Sequence, residues 1–225
     1  MLDNIARLIR VERGFPLAHE IAPVLEDLER ALGPTVTRAL AARALGVSQT
    51  ALDRWIGQGD VPVVLAANGN REVPVRALLD LVETVESRRR GGDRHPLASV
   101  LRARRSAADS LDPEKVLPAR YRGRKPEGGH RGAELRSLAF HRTVAERLDD
   151  ELVHEARRRV RRWRLEGRIH PRWANGWEDV LLRPLPQIAK LISRDTQEAR
   201  DLRQSSPFAG ALSEAERRRV LEIAS

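Results

Sequence analysis

Ala42-Arg43-Ala44-Leu45-Gly46-Val47-Ser48-Gln49-Thr50-Ala51-Leu52-Asp53-Arg54-Trp55-Ile56 spells two short helices joined by a tight turn. Residues 38–45 have helical spacing, Gly46-Val47 turns the chain, and Ser48 is placed to cap a second helix running to Ile56 or Gly57. Two helices that cross steeply over so short a turn need three things: a small residue in the first, a residue that tolerates positive φ in the turn, and apolar residues on the inner face of the second. Ala42, Gly46 and the set Leu45, Val47, Leu52 and Trp55 or Ile56 meet those demands. Ser48, Gln49, Thr50, Asp53 and Arg54 are then left at the start and on the outer face of the second helix. From there, side chains of this kind reach base edges and phosphates when a helix enters a major groove.

Working outward, Val61-Pro62-Val63-Val64-Leu65 reads as an apolar strand, Ala66-Ala67-Asn68-Gly69-Asn70 carries an Asn-Gly turn, and Arg71-Glu72-Val73-Pro74 returns as a short strand. Helical spacing resumes over residues 75–86 through Val75, Leu78, Leu79, Val82 and Val85. In order and spacing, residues 37–79 resemble the winged helix-turn-helix of the MerR and phage-excisionase class. That class runs helix, turn, recognition helix, a Gly-x-(Leu/Ile/Val)-Pro segment, a small β wing and a helix opening with a proline. The matching pieces are ALAARALGVSQTALDRWI, Gly59-Asp60-Val61-Pro62, the wing tip Asn68-Gly69-Asn70-Arg71 and Val73-Pro74. The resemblance implies binding to double-stranded DNA, with the second helix in the major groove and the wing against the adjacent backbone or minor groove. By position it implies Ser48, Gln49, Thr50 and Arg54 as recognition-helix contacts and Asn70 and Arg71 as wing contacts. The chain departs from the class in Asp53, Asp60 and Glu72, three acids that lower the affinity expected of a single isolated copy. The same spelling also suits a pair of plain core helices, or a winged module that contacts protein.

The remaining chain predicts a mainly α protein. Residues 1–33 read as a helical hairpin, residues 34–86 as the winged helix-turn-helix with its small β-hairpin wing, residues 87–133 as a basic linker or arm, and residues 134–225 as a helical C-terminal domain. Leu2, Ile5, Leu8 and Ile9, then Ile21, Val24, Leu25, Leu28 and Leu32, mark the hairpin. A short helix around residues 97–108 interrupts the arm. Residues 134–166 read as one helix ended by Gly167, residues 170–177 as an aromatic turn, and Leu181 to Ile192 as a further helical region. Pro207-Phe208-Ala209-Gly210 reads as a loop before a last helix, with Ser213 and Glu216 spaced as a capping box.

Composition narrows the function classes. Cysteine is absent, which excludes disulfides, thiolate zinc sites and a cysteine nucleophile. No run approaches the roughly 18 apolar residues of a membrane span, and the N-terminus lacks a secretory signal pattern. A cytoplasmic protein with no membrane contact is the expectation. The net charge of +9 is uneven: residues 1–86 hold 9 arginines against 12 acids, and residues 87–225 hold 32 basic residues against 20 acids. Such a surplus favours a polyanionic partner. Arg88, Arg89, Arg90, Arg122, Arg124 and Lys125 are expected phosphate contacts, adding affinity without sequence discrimination. Arg157, Arg158, Arg159, Arg161, Arg162, Arg164 and Arg168 ride on a predicted helix and meet either phosphates or an acidic partner. Arg158 and Arg162, with Trp173, Trp177 and Phe208, are the expected partner contacts, although the aromatic residues serve a second core equally well.

The run from Arg200 to Gly210 is similar to the tails of bacterial antitoxin-type regulators, some encoded beside toxin-like enzymes. This implies a protein partner encoded nearby. For catalysis, His141, Asp150 and His154 offer a loose metal-ligand spacing, and Asp112-Pro113-Glu114-Lys115 an acidic pair beside a lysine. There is no Gly-rich phosphate loop, zincin motif or nucleophile elbow. The expectation is therefore no enzyme, no metal and no cofactor. The function expected is a sequence-specific DNA-binding transcriptional regulator, a repressor that binds a palindromic operator as a homodimer. The alternative is an antitoxin-type module that holds a toxin and regulates its own operon.

Overall fold

The structure is a computed structural model that describes residues 31–66, 69–122 and 129–225. The helix expected over residues 1–13, and nearly all of the one expected over 17–32, lie outside the described residues. The chain divides into two compact units, residues 1–106 and 107–225. The described part is mainly helical with one three-stranded antiparallel sheet. Among the described residues no helix is long and apolar enough to cross a membrane.

In the first unit β1 (Thr35–Val36) leads into α1 (Arg38–Leu45) and α2 (Gln49–Gly57), followed by β2 (Val64–Leu65), β3 (Arg71–Pro74) and α3 (Val75–Arg90). Thr37 caps α1 by accepting from the Leu40 amide at 3.3 Å. Gly46, at φ 69°, stops it: its own amide donates to the Arg43 carbonyl and the Val47 amide to Ala42, the paired bonds of a left-handed helix stop. Gly59, at φ 74°, ends α2 in the same way, bonding to Ile56 while Asp60 bonds to Trp55. β3 is the central strand, with Val36 opposite Val73 on one side and Val64 opposite Glu72 on the other. Two-residue β1 is too short to show alternation and was not foreseen. Ala41, Ala42, Leu45, Leu52, Trp55, Val73, Leu78 and Val82 bury together beneath these elements.

The segment expected as a basic linker is largely helical. α3 continues to Arg90, and α4 spans Pro96–Asp109. Leu97, Val100 and Leu101 join the first core from one face of α4. α5 (Pro113–Val116) and a 3-10 turn over Ala119–Tyr121 follow, and Val116 and Leu117 join the second core. The boundary between units thus falls inside the segment 87–133, because a few apolar residues at helical spacing outweigh the charge around them.

The second unit continues with α6 (Gly129–Ala145), α7 (Asp150–Leu165), α8 (Pro171–Leu181), α9 (Leu185–Ile192), α10 (Gln197–Gln204) and α11 (Glu214–Ile223). The single helix expected over 134–166 is two, because Asp149 takes extended angles and caps α7 by accepting from the Leu152 amide at 2.8 Å. The aromatic turn expected over 170–177 is the first part of α8. Pro171 opens it, with the fixed φ and missing amide that suit a first helical position, and His170 Nδ1 accepts from the Arg172 amide at 3.2 Å. Gly176 lies within this helix where the Leu202 side chain comes within 3.2 Å of a would-be Cβ. Ser213 and Glu216 form the expected capping box at the start of α11. Leu138, Ala156, Val160, Trp177, Leu181, Ile188 and Phe208 are among the residues of this core.

Candidate nucleic-acid interface

α2 is two-faced. Leu52 is fully buried and Trp55 nearly so, while Ser48, Gln49, Thr50 and Arg54 are exposed. Ser48 spends its oxygen on the cap, accepting from the Ala51 amide at 3.2 Å. Thr50 and Arg54 are one helical turn apart and share a face. The Arg54 guanidinium lies 5.2 Å from the Trp55 ring centroid, a cation–π contact that holds it against the helix surface.

The three acids that depart from the class are engaged within the first unit. Asp53 accepts from Arg38 at 2.8 Å in an exposed pair between α1 and α2. Glu72 is buried and accepts from the Thr35 hydroxyl at 2.6 Å. Asp60, its side chain 1% exposed, accepts from Arg105 of α4 at 3.1 Å through one oxygen, and its other oxygen has no hydrogen-bond partner. Two of the three negative charges are therefore turned inward and the third is paired.

Between β2 and β3, the Ala66 amide donates to the Asn70 carbonyl and the Gly69 amide to the Ala66 carbonyl, both at 2.9 Å, with Gly69 at φ 78°. Asn70 and Arg71 are exposed beside this turn. Arg43, which sequence reasoning passed over, is exposed on the last turn of α1 just before Gly46. Its position off the core face, between buried Ala42 and Leu45, was the signal available.

The expected phosphate contacts are placed differently from a free arm. Arg88, Arg89 and Arg90 are exposed in the last turn of α3, where cations also suit the helix dipole. Arg89 reaches the α1–α2 turn, its Nη2 donating to the Leu45 carbonyl at 3.4 Å. Arg122 is paired with Glu114 at 2.5 Å. Arg124 and Lys125 lie outside the described residues. Asp112 caps α5 by accepting from the Glu114 amide, and the Glu114 carboxylate accepts from the Ala119 amide.

In the second unit much of the arginine cluster turns onto its own fold. Arg159 is buried and donates to the Pro207 carbonyl, Arg157 Nε donates to Leu181 at 3.0 Å, and Arg164 bonds Glu178 at 2.9 Å and Asn175. Arg158 and Arg162 are half-buried. Trp177 and Phe208, expected as partner contacts, are instead core residues, 0% and 1% exposed. Their rings meet edge-on at 5.7 Å and the Trp177 indole N–H donates to Leu202, so neither offers surface to a partner. Trp173 is half-buried beneath Arg172, whose guanidinium lies 5.0 Å from its ring centroid.

His141 is buried in the same core, with Nδ1 at 2.7 Å from the Ser137 carbonyl and Nε2 at 2.7 Å from the Ser206 hydroxyl. Burial pushes its pKa down to about 4, against the Ser137 bond, and nearby Arg203 adds to the depression. The neutral ring donates from Nδ1 and accepts the Ser206 proton at Nε2. Asp150 and His154 are exposed on α7, away from that burial. Among the described residues no group of three His, Asp or Glu could hold a metal ion.

No protein-family model, curated protein or solved structure matches the chain.

Proposed function

We propose that residues 34–86 form a winged helix-turn-helix and that the protein is a sequence-specific DNA-binding transcriptional regulator, acting as a repressor. The observation that carries this reading is the two-faced α2: Leu52 and Trp55 hold it in the core while Gln49, Thr50 and Arg54 stay exposed together. In a major groove Gln49 suits adenine and Arg54 suits guanine, by the bidentate hydrogen bonds each side chain can form. Asn70 and Arg71 then meet the neighbouring backbone or minor groove, and Arg43, Arg88 and Arg90 add phosphate contacts. One copy reads one half-site. A homodimer supplies the second, on a palindromic operator with half-sites about one helical turn apart. A regulator of this kind works in the cytoplasm.

The test is fluorescence anisotropy on duplex DNA from the chain's own upstream region and on a random duplex of equal length. Arg54→Ala is expected to cost about 1–3 kcal/mol on the upstream duplex and relax preference at one position. Arg71→Ala is expected to weaken both duplexes alike and reduce the salt slope by about one. Unchanged affinity in both variants rejects this contact face.

A further inference from the structure

We propose that the corner between α7 and α8 docks an acidic segment of a protein partner, gripped by Leu165 and the arginines around it. This lies beyond the DNA reading and in the other unit. Arg161 and Leu165 sit one turn apart on α7, on the same side of the helix. Gly167, at φ 65°, ends the helix, and the Arg168 amide bonds back to Trp163 at 2.8 Å. Arg164, bonded to Glu178 and Asn175, keeps the end of α7 beside the first turns of α8, where Arg172 stacks on Trp173.

Leu165 is 83% exposed, and Arg161, one turn before it, and Arg168, three residues after it, are exposed, as is Arg172 in the first turn of α8. The corner therefore combines arginines and a half-buried tryptophan, residue types enriched at the strongest protein contacts, with a bare leucine that a partner's apolar side chain would cover. Charge complementarity selects the occupant. Arg168 is paired with Glu166 at 3.3 Å and Arg164 with Glu178. Arg161 and Arg172 have no carboxylate partner among the described residues, so carboxylates carried on a folded or helical segment fit them. A phosphate backbone has no apolar group with which to cover the leucine. A protein segment covers it with an apolar side chain of its own.

The experiment uses the full chain and a labelled amphipathic peptide of Glu and Asp, with Leu and Phe at i,i+4 spacing. Its controls are the same peptide with Leu and Phe replaced by Ser, and a single-stranded oligonucleotide of equal charge. The amphipathic peptide is expected to bind in preference to the Ser peptide and to resist displacement by the oligonucleotide. Leu165→Asp and the Arg161→Glu/Arg172→Glu pair are each expected to weaken it roughly tenfold or more. Leu182→Asp, at another leucine that is 73% exposed, should leave binding intact. Operator affinity should be unchanged in all of these variants, so this proposal and the DNA reading fail separately. Equal binding by the Leu165→Asp variant, no preference over the Ser peptide, or equal competition by the oligonucleotide overturns the proposal.

Discussion

At Gly46 one backbone angle joins two helices. A φ of 69° is open to glycine at little cost, whereas an L side chain in that conformation costs about 1–2 kcal/mol. A Cβ there would also stand 3.0 Å from Arg89 Nη2, the far end of a side chain that can move aside. Gly46→Ala is therefore expected to lower the stability of the first unit by about 1 kcal/mol, with Gly46→Asn milder. Urea unfolding followed by tryptophan fluorescence checks this, and an unchanged midpoint would refute it. Asp60 makes a sharper case. Removing Arg105 leaves a carboxylate buried with neither oxygen paired, and breaking such a pair costs about 3 kcal/mol, toward the low end because Arg105 itself is 44% exposed. Arg105→Ala should unfold early in the same titration, and adding Asp60→Asn should recover much of the loss.

Among the elements, α1 and α2 were legible because three local signals agreed: Ser48 as cap, Gly46 as stop and an apolar inner face. The hairpin was legible from Asn68-Gly69 and the runs beside it, although only Val64–Leu65 and Arg71–Pro74 pair as strands. What escaped was signal masked by composition. α4 itself was legible, expected around 97–108 and found over Pro96–Asp109, but its place in the first core was not, since arginines surround Leu97, Val100 and Leu101. In the same way, Asn175-Gly176 hid the helix that Pro171 begins. The core role of His141 could not be read at all, since its partners Ser137 and Ser206 converge only through the fold. This burial has a pH consequence. Between 6.5 and about 4 the unfolded chain takes up a proton that folded His141 refuses, so stability is fully present above 6.5 and falls as pH drops through that window. The loss contributed by this group is about 3 kcal/mol. Thermal melts across that range should show the decline, and His141→Gln should flatten it. Equal pH dependence in the two proteins would remove His141 as the cause.

For the whole molecule, the 41 basic residues overstate the side chains open to direct contact with a phosphate. Arg38, Arg105, Arg122 and Arg164 are paired with carboxylates, and Arg157 and Arg159 are turned onto backbone carbonyls. On the proposed DNA reading, sequence-independent phosphate contact falls to exposed arginines such as Arg43, Arg71, Arg88 and Arg90, while discrimination among sequences falls to α2. The most direct measurement is the affinity of the full chain carrying Gln49→Ala, Thr50→Ala and Arg54→Ala together, for the upstream duplex and for a random duplex at fixed salt. Upstream affinity is expected to drop by roughly a hundredfold or more, toward the random-duplex value, with random affinity and the unfolding midpoint nearly unchanged. A variant that still binds the upstream duplex as tightly as the parent protein would contradict the DNA reading.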